Sequence, residues 1–185
     1  GTGTAYKDKQ SVSKLAGASA NSQKVNLYAQ WKPAKYKIVF DPNGGVGNTA
    51  PIDPATYDTS AVLTANGYSR VGYDFTGWNT QSTGKGTAYA NKATVKNLTS
   101  TNGGTVTLYA QWKAHQYDVI FNSNVPAGYT ANNSMANQHF VYDASQALTK
   151  NAFTVTKAGT TRKTDFAFDG WSLTPDGEAE FADGQ

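Results

Sequence analysis

Leu27-Tyr28-Ala29-Gln30-Trp31 recurs unchanged as Leu108-Tyr109-Ala110-Gln111-Trp112, and a lysine follows each copy, at Lys32 and Lys113. The copies lie 81 residues apart in a chain of 185. Other landmarks keep close to that spacing. Tyr36-Lys37-Ile38-Val39-Phe40 returns as Tyr117-Asp118-Val119-Ile120-Phe121. Gly1-Thr2-Gly3-Thr4-Ala5-Tyr6 returns as Gly84-Lys85-Gly86-Thr87-Ala88-Tyr89, and Thr76-Gly77-Trp78 is echoed by Asp169-Gly170-Trp171. Self-similarity at a fixed period of about 80 residues marks a tandem array of one folding unit, with function shared along the array.

Around the pentapeptide, Val25, Leu27, Ala29 and Trp31 alternate with Asn26, Tyr28, Gln30 and Lys32. Val106, Leu108, Ala110 and Trp112 repeat the pattern. Period-two alternation predicts a strand with one buried face, so Trp31 and Trp112 are expected in cores. Tyr36, Ile38 and Phe40 alternate in the same way, and so does Tyr73 to Trp78. Asp41-Pro42-Asn43-Gly44-Gly45 then predicts a sharp turn, because proline presets φ and Asn-Gly-Gly tolerates positive φ. Asn79 to Gly86 is rich in Gly, Ser and Thr and reads as a loop. Helical signal is confined to Ser11–Leu15, Ala93–Leu98 and Ala144–Leu148, each one or two turns long. The expected class is α+β, mostly β, with one short helix per unit.

Composition narrows the function. Hydrophobic residues make up 38% of the chain and aromatics 12%, which argues for packed cores rather than disorder. There is no cysteine, which removes disulfides, thiolate metal sites and cysteine nucleophiles. The net charge of +3 is scattered, and its longest cluster is Arg162-Lys163, too small for a nucleic-acid surface. No apolar run approaches membrane-spanning length.

Reactive side chains are sparse. His115 and His139 are the only histidines, and neither sits at metal-ligand spacing from the other. Asp41 and Asp53 flank a Gly-rich loop but lack the alternating acidic ligands of a calcium loop. Gly84-Lys85-Gly86-Thr87 lacks the upstream glycine and following helix of a phosphate loop. Lys37 and Asn43 have the residue types of a self-formed isopeptide bond, but nothing in the sequence brings them to a carboxylate. No catalytic, cofactor or metal residues are assigned. Tyr28 and Tyr109 fall on the face opposite Leu and Trp, while Trp78 and Trp171 follow glycine and precede a loop. These four are the candidate ligand-contact aromatics.

Tyr36 to Gly45, then Gly72-Tyr73-Asp74-Phe75-Thr76-Gly77-Trp78, then Leu108 to Trp112 form a series that resembles the Listeria–Bacteroides repeat family, which includes the B repeat of internalin B. The resemblance is close across 34–113. It covers the tail of the pattern in 1–33 and its start in 114–185. It implies a β-grasp, ubiquitin-like module on a secreted or wall-attached bacterial surface protein, used as spacer or adhesion unit. The last period departs from the pattern: Asn122-Ser123-Asn124-Val125-Pro126 replaces the Asp-Pro-Asn-Gly-Gly turn, and about a dozen residues are inserted before Gly170-Trp171. Its first turn and central loop are expected to be remodelled.

Two divisions of the chain fit the period. One is a closing segment 1–33, a whole module 34–113 and a module 114–185 without its closing strand. The other is two units, 1–83 and 84–185. The sequence therefore predicts a non-catalytic extracellular segment whose partners are a host or cell-surface protein or a glycan. It predicts no nucleic-acid binding and no membrane insertion. The alternative function is a carbohydrate-binding module using exposed aromatics. The first division also predicts head-to-tail self-association, in which Val25–Trp31 of one copy completes 114–185 of another.

Overall fold

A computed structural model describes residues 4–13, 15, 24–160 and 166–185. The first three residues of the Gly1–Tyr6 motif, Lys14 in the Ser11–Leu15 segment and the Arg162-Lys163 pair lie outside the described residues. The chain divides into two compact units, 1–33 and 34–185.

Within 34–185 the strands begin with β1 (Lys35–Asp41), β2 (Val46–Gly47), β3 (Ile52–Thr56), β4 (Ala61–Val62) and β5 (Tyr68–Ser69). They continue with β6 (Tyr73–Asn79), β7 (Ala88–Tyr89), β8 (Thr94–Val95) and β9 (Thr105–Ala114). Five of these form one sheet in the order β3-β1-β9-β6-β7. The pentapeptide strand β9 lies in its interior, parallel to β1 with Phe40 opposite Leu108, and antiparallel to β6 with Trp78 opposite Ala110. Two ribbons, β2–β5 and β4–β8, complete this part.

The alternation places the core as expected here. Tyr36, Ile38, Leu108 and Ala110 are buried with Ala55, Leu63, Trp78 and Val95, and Phe40, Phe75 and Trp112 pack against them. The Asp41–Gly45 turn also forms. The Gly45 amide donates to the Pro42 carbonyl at 3.0 Å, and the Asn43 amide donates to the Asp41 carboxylate at 2.8 Å. Asn43 and Gly44 take φ of +47° and +90°, the region that asparagine and glycine tolerate.

The chain continues with β10 (Gln116–Val119), β11 (Tyr129–Asn132), β12 (Gln138–Val141) and β13 (Thr154–Lys157). β10 pairs antiparallel with β12, as β1 does with β3. β11 pairs with β13 around β12, as the shorter β2–β5 ribbon encloses β3. The added residues of the last period thus go partly into lengthening this ribbon. The first turn is altered less than the sequence suggests: Asn124 keeps the place of Asn43 and a φ of +41°.

The short helices are a correction. No helix forms among the described residues. In the Ala93–Leu98 stretch, Thr94 and Val95 form β8 instead. These β-branched side chains suit a strand, and Lys92 and Asn97 on either side both take a φ of +59°, which a helix cannot hold. In Ala144–Leu148 the polar groups are claimed by distant partners. The Leu148 amide donates to the Gln185 carbonyl at 2.7 Å, and the Gln138 side chain donates to the Ala147 carbonyl at 2.7 Å.

Unit 1–33 overturns a second expectation. Val25 to Trp31 is not a strand, and Leu27, Tyr28 and Trp31 are 66%, 77% and 90% exposed. The alternating pattern supplies an apolar face, but among the described residues this segment has no ladder partner. A lone strand is unstable in water without them.

Candidate functional site

A broad cleft lies in 114–185. It measures about 820 Å³, and its walls include Ile120, Asn124, Phe153, Phe168, Gly170 and Trp171. Its geometry follows from comparing these residues with their equivalents in 34–113.

Trp171 stands where Trp78 stands. Phe121 meets it at 4.8 Å between ring centroids and 52° between planes, against 4.6 Å and 52° for Phe40 and Trp78. Phe168 meets it at 4.9 Å and 63°, against 5.0 Å and 65° for Phe75 and Trp78. Phe153 replaces Tyr68, at 6.3 Å and 69° against 6.1 Å and 75°. The indole N–H of both Trp78 and Trp171 is buried without a hydrogen-bond partner among the described residues. Gly77 and Gly170 precede the two tryptophans with φ of +146° and +155°, and a Cβ at either would strike the carbonyl oxygen of Tyr89 or Phe181. Only glycine fits both the angle and the approach.

Polar positions repeat as well. The Leu63 amide donates to the Ala93 carbonyl and the Leu148 amide to that of Gln185. Asn66 and Asn151 each accept from the backbone two residues on, at Tyr68 and Phe153. Asn43 donates to the carbonyls of Ser82 at 2.9 Å and Ala110 at 2.8 Å. Asn124 donates to Pro175 at 2.8 Å, the counterpart of Ser82. Its counterpart of Ala110 would belong to a strand equivalent to β9.

That strand has no equivalent in 114–185 among the described residues. β10 pairs with β12 alone, whereas β1 is paired on both edges. Trp171 bridges to Phe181 on one side, as Trp78 does to Tyr89. Ile120, Phe168, Gly170 and Trp171 in the cleft correspond to Val39, Phe75, Gly77 and Trp78, which flank β9 in 34–113.

The four candidate aromatics separate. Trp78 is fully buried against Phe40, Tyr68 and Phe75, which removes it from any contact surface. Its position after Gly77 serves close packing rather than exposure. Trp171 is half-buried and lines the cleft. Tyr109 is half-buried in β9, and Tyr28 is exposed. A smaller depression of about 380 Å³ lies beside Asn79, Gly84, Tyr89 and Gln111.

The other sequence candidates are dispersed. Lys37 pairs with Asp53 at 3.3 Å, while the Asn43 amide is held by two carbonyls, so those two side chains serve different partners. His115 contacts Asp74 at 3.1 Å, and His139 contacts Asp118 at 2.9 Å. The Gly84–Thr87 loop is organised by Asn79, whose carbonyl oxygen accepts from the amides of Gln81 and Gly86 at 2.9 Å each. Among the described residues no three acidic or histidine side chains gather as a metal site. The sequence reading named Trp171 but not Phe153 and Phe168, which line the cleft with it. The available signal was the run Phe168-Asp169-Gly170-Trp171, which repeats the aromatic spacing of Phe75-Thr76-Gly77-Trp78.

Comparison with known proteins places the repeat. Residues 36–111 match the family model of the Listeria-Bacteroides repeat domain. The matched stretch of the repeat domain runs from β1 into β9. A protein of Evansella cellulosilytica named "Putative Gly-rich membrane protein" is 36% identical over 126 residues, covering 67% of this chain and 14% of that protein. A second, named "Putative membrane protein" and from the same organism, is 33% identical over 96 residues, covering 51% of this chain and 14% of its own length. The chain thus corresponds to a small part of these relatives. No solved structure matches it. No helix among the described residues is long and apolar enough to cross a membrane.

Proposed function

We propose that this chain is a non-catalytic repeat segment of an extracellular bacterial surface protein, acting as a spacer or adhesion module. The carrying observation is the duplicated aromatic core, in which Phe121, Phe153, Phe168 and Trp171 reproduce the geometry of Phe40, Tyr68, Phe75 and Trp78. Repeating one core along a chain adds length without adding new chemistry. The dispersal of charged side chains into separate, exposed ion pairs supports a non-catalytic role. The names of the relatives support a place at the cell envelope.

The strand order, with β1 and β9 as parallel central neighbours, supports reading the module as a β-grasp without its helix. The same order supports 34–113 as the whole module, since strands on both sides of residues 83 and 84 belong to one five-stranded sheet. Burial of Trp78 weighs against the carbohydrate-binding alternative.

Two measurements test this reading. An antibody against 34–185 should label intact cells that make the parent protein, and labelling only after lysis would refute an exterior role. Glycan and surface-protein arrays then divide the two versions. A spacer binds nothing, and an adhesion module binds a protein partner. Binding to glycans alone would revive the carbohydrate alternative.

A further inference from the structure

We propose that 34–113 carries a docking face for the repeat that follows it. Gly72-Tyr73-Asp74 on one side and Tyr142-Asp143 on the other form a stiff joint that holds 114–185 in one orientation. The proposal rests on the spacer version of the function and makes that spacer a stiff one.

The connector leaves no slack. His115 alone separates β9 from β10. Its amide donates to the Gly72 carbonyl at 2.8 Å, on the repeat-domain side. Its carbonyl accepts from the Tyr142 amide at 2.9 Å, on the other side. Its imidazole Nε2 lies 3.1 Å from the Asp74 carboxylate. Relative motion between domains is the default where a flexible linker joins them and few contacts cross. Here a connector of one residue has both backbone groups tied, one to each part.

Side chains extend the contact. The Tyr142 ring fills the space beside Gly72, where a Cβ would collide with it. The same ring meets Tyr73 edge-on, at 5.9 Å between centroids and 83° between planes. The Tyr73 hydroxyl donates to the Asp143 carboxylate at 3.1 Å. From within the repeat domain, the Arg70 guanidinium lies 3.7 Å over the Tyr73 ring and steadies it by a cation–π contact. A packed ring and a hydroxyl–carboxylate bond thus join the two backbone bonds at His115. Directional contacts at separate points fix an angle, which one contact alone would leave free.

The docking corner is formed by the repeat itself. In 34–113 its counterpart is Tyr57-Asp58. There the Tyr57 amide donates to the Ala34 carbonyl at 2.8 Å, and Asp58 takes a φ of +62° against +61° at Asp143. The same backbone form in both copies means that docking does not have to order the corner, which lowers its cost. The receiving corner is not shared. In 114–185 the positions of Gly72, Tyr73 and Asp74 hold Asp165, Phe166 and Ala167. Glycine, hydroxyl and carboxylate are all replaced there, so the receiving chemistry belongs to 34–113 and is written in its sequence.

Residual dipolar couplings and backbone amide relaxation of the dilute 185-residue chain test the proposal. The expected result is one alignment tensor and one tumbling time for 34–113 and 114–185. Tyr142→Ala combined with Tyr73→Phe should split them into two tensors and shorten the tumbling time of each part, while both keep dispersed spectra. Two glycines inserted between His115 and Gln116 should do the same without touching a ring, and they supply the test if the aromatic variant fails to fold. Two tensors in the unaltered chain would overturn the proposal, as would a single tensor retained by the glycine insertion. A collapsed spectrum for 114–185 in the unaltered chain would also overturn it, because a joint needs a folded part on each side. These readouts use purified protein and do not depend on the labelling of intact cells, so failure of the joint and failure of the exterior role are distinguishable.

Discussion

Asn79 holds more of the repeat domain together than its size suggests. It is buried, and its amide group donates to the carbonyls of Gly84 and Gly86 while accepting from two backbone amides. Asn79→Ala leaves these loop groups unpaired and should cost about 2–3 kcal/mol, read by denaturant unfolding. Asn79→Asp keeps the acceptor but loses the donor, and should fall between alanine and wild type. The tryptophans give a sharper contrast. Trp112→Ala should cost about 3–5 kcal/mol, since it removes an aromatic packed on Phe75 and an indole N–H that donates to the Pro42 carbonyl. Trp31→Ala should change monomer stability by less than about 0.5 kcal/mol, because the side chain is exposed. Equal losses at the two sites would contradict the placement of Trp31. At the surface, a hydrogen bond from Asn97, aided by Lys96, holds the Asp58 carboxyl below the usual carboxylate range. The ionised form is favoured in the folded state. Its contribution is therefore present above the ordinary carboxylate range and lost as pH falls through the lowered value. Asp58→Asn should flatten the acid limb of the stability–pH curve while leaving the limb above neutrality in place.

At the scale of elements, the repeat domain and the following module meet at Gly72. The His115 amide donates to the Gly72 carbonyl at 2.8 Å, and the Tyr142 amide donates to the His115 carbonyl at 2.9 Å. The Tyr142 ring lies against Gly72, which has a φ of +75°, and stacks edge-on with Tyr73 at 5.9 Å. A side chain at residue 72 would adopt a disfavoured φ and collide with that ring. Gly72→Val should lower the melting of 34–113 through the strained Arg70–Tyr73 turn, and that of 114–185 further through the displaced Tyr142 ring, giving two resolved transitions in calorimetry. One transition, shifted as a whole, would show that the two parts unfold as a unit. The strands here were legible because alternation reports a buried face: Tyr36-Ile38-Phe40 and Val106-Leu108-Ala110 land as expected. The helices were misread because Ala93 and Leu98 offered spacing, while the β-branched Thr94 and Val95 and the turn geometry at Lys92 and Asn97 decided the outcome. The short ribbons β2–β5 and β4–β8 left no sequence signal, since two residues are too few to show a period.

For the whole molecule, period and pentapeptide together exposed the tandem array, but they concealed the difference between its copies. Alternation records which side chains want a core. It does not record whether neighbouring strands are present, and that alone separates Leu27–Trp31 from Leu108–Trp112. The candidate site was legible only in part: Trp171 stood out as a contact aromatic because it follows glycine and precedes a loop, whereas Phe153 and Phe168, which line the cleft with it, carried no sign of shared exposure. Amide hydrogen exchange at high dilution tests this directly, because identical pentapeptides have nearly identical intrinsic exchange and any difference reports structure. The account predicts that Leu108–Trp112 exchanges only through opening of the five-stranded sheet, while Leu27–Trp31 exchanges at close to the unprotected rate. Comparable protection of both pentapeptides in the dilute monomer would contradict it.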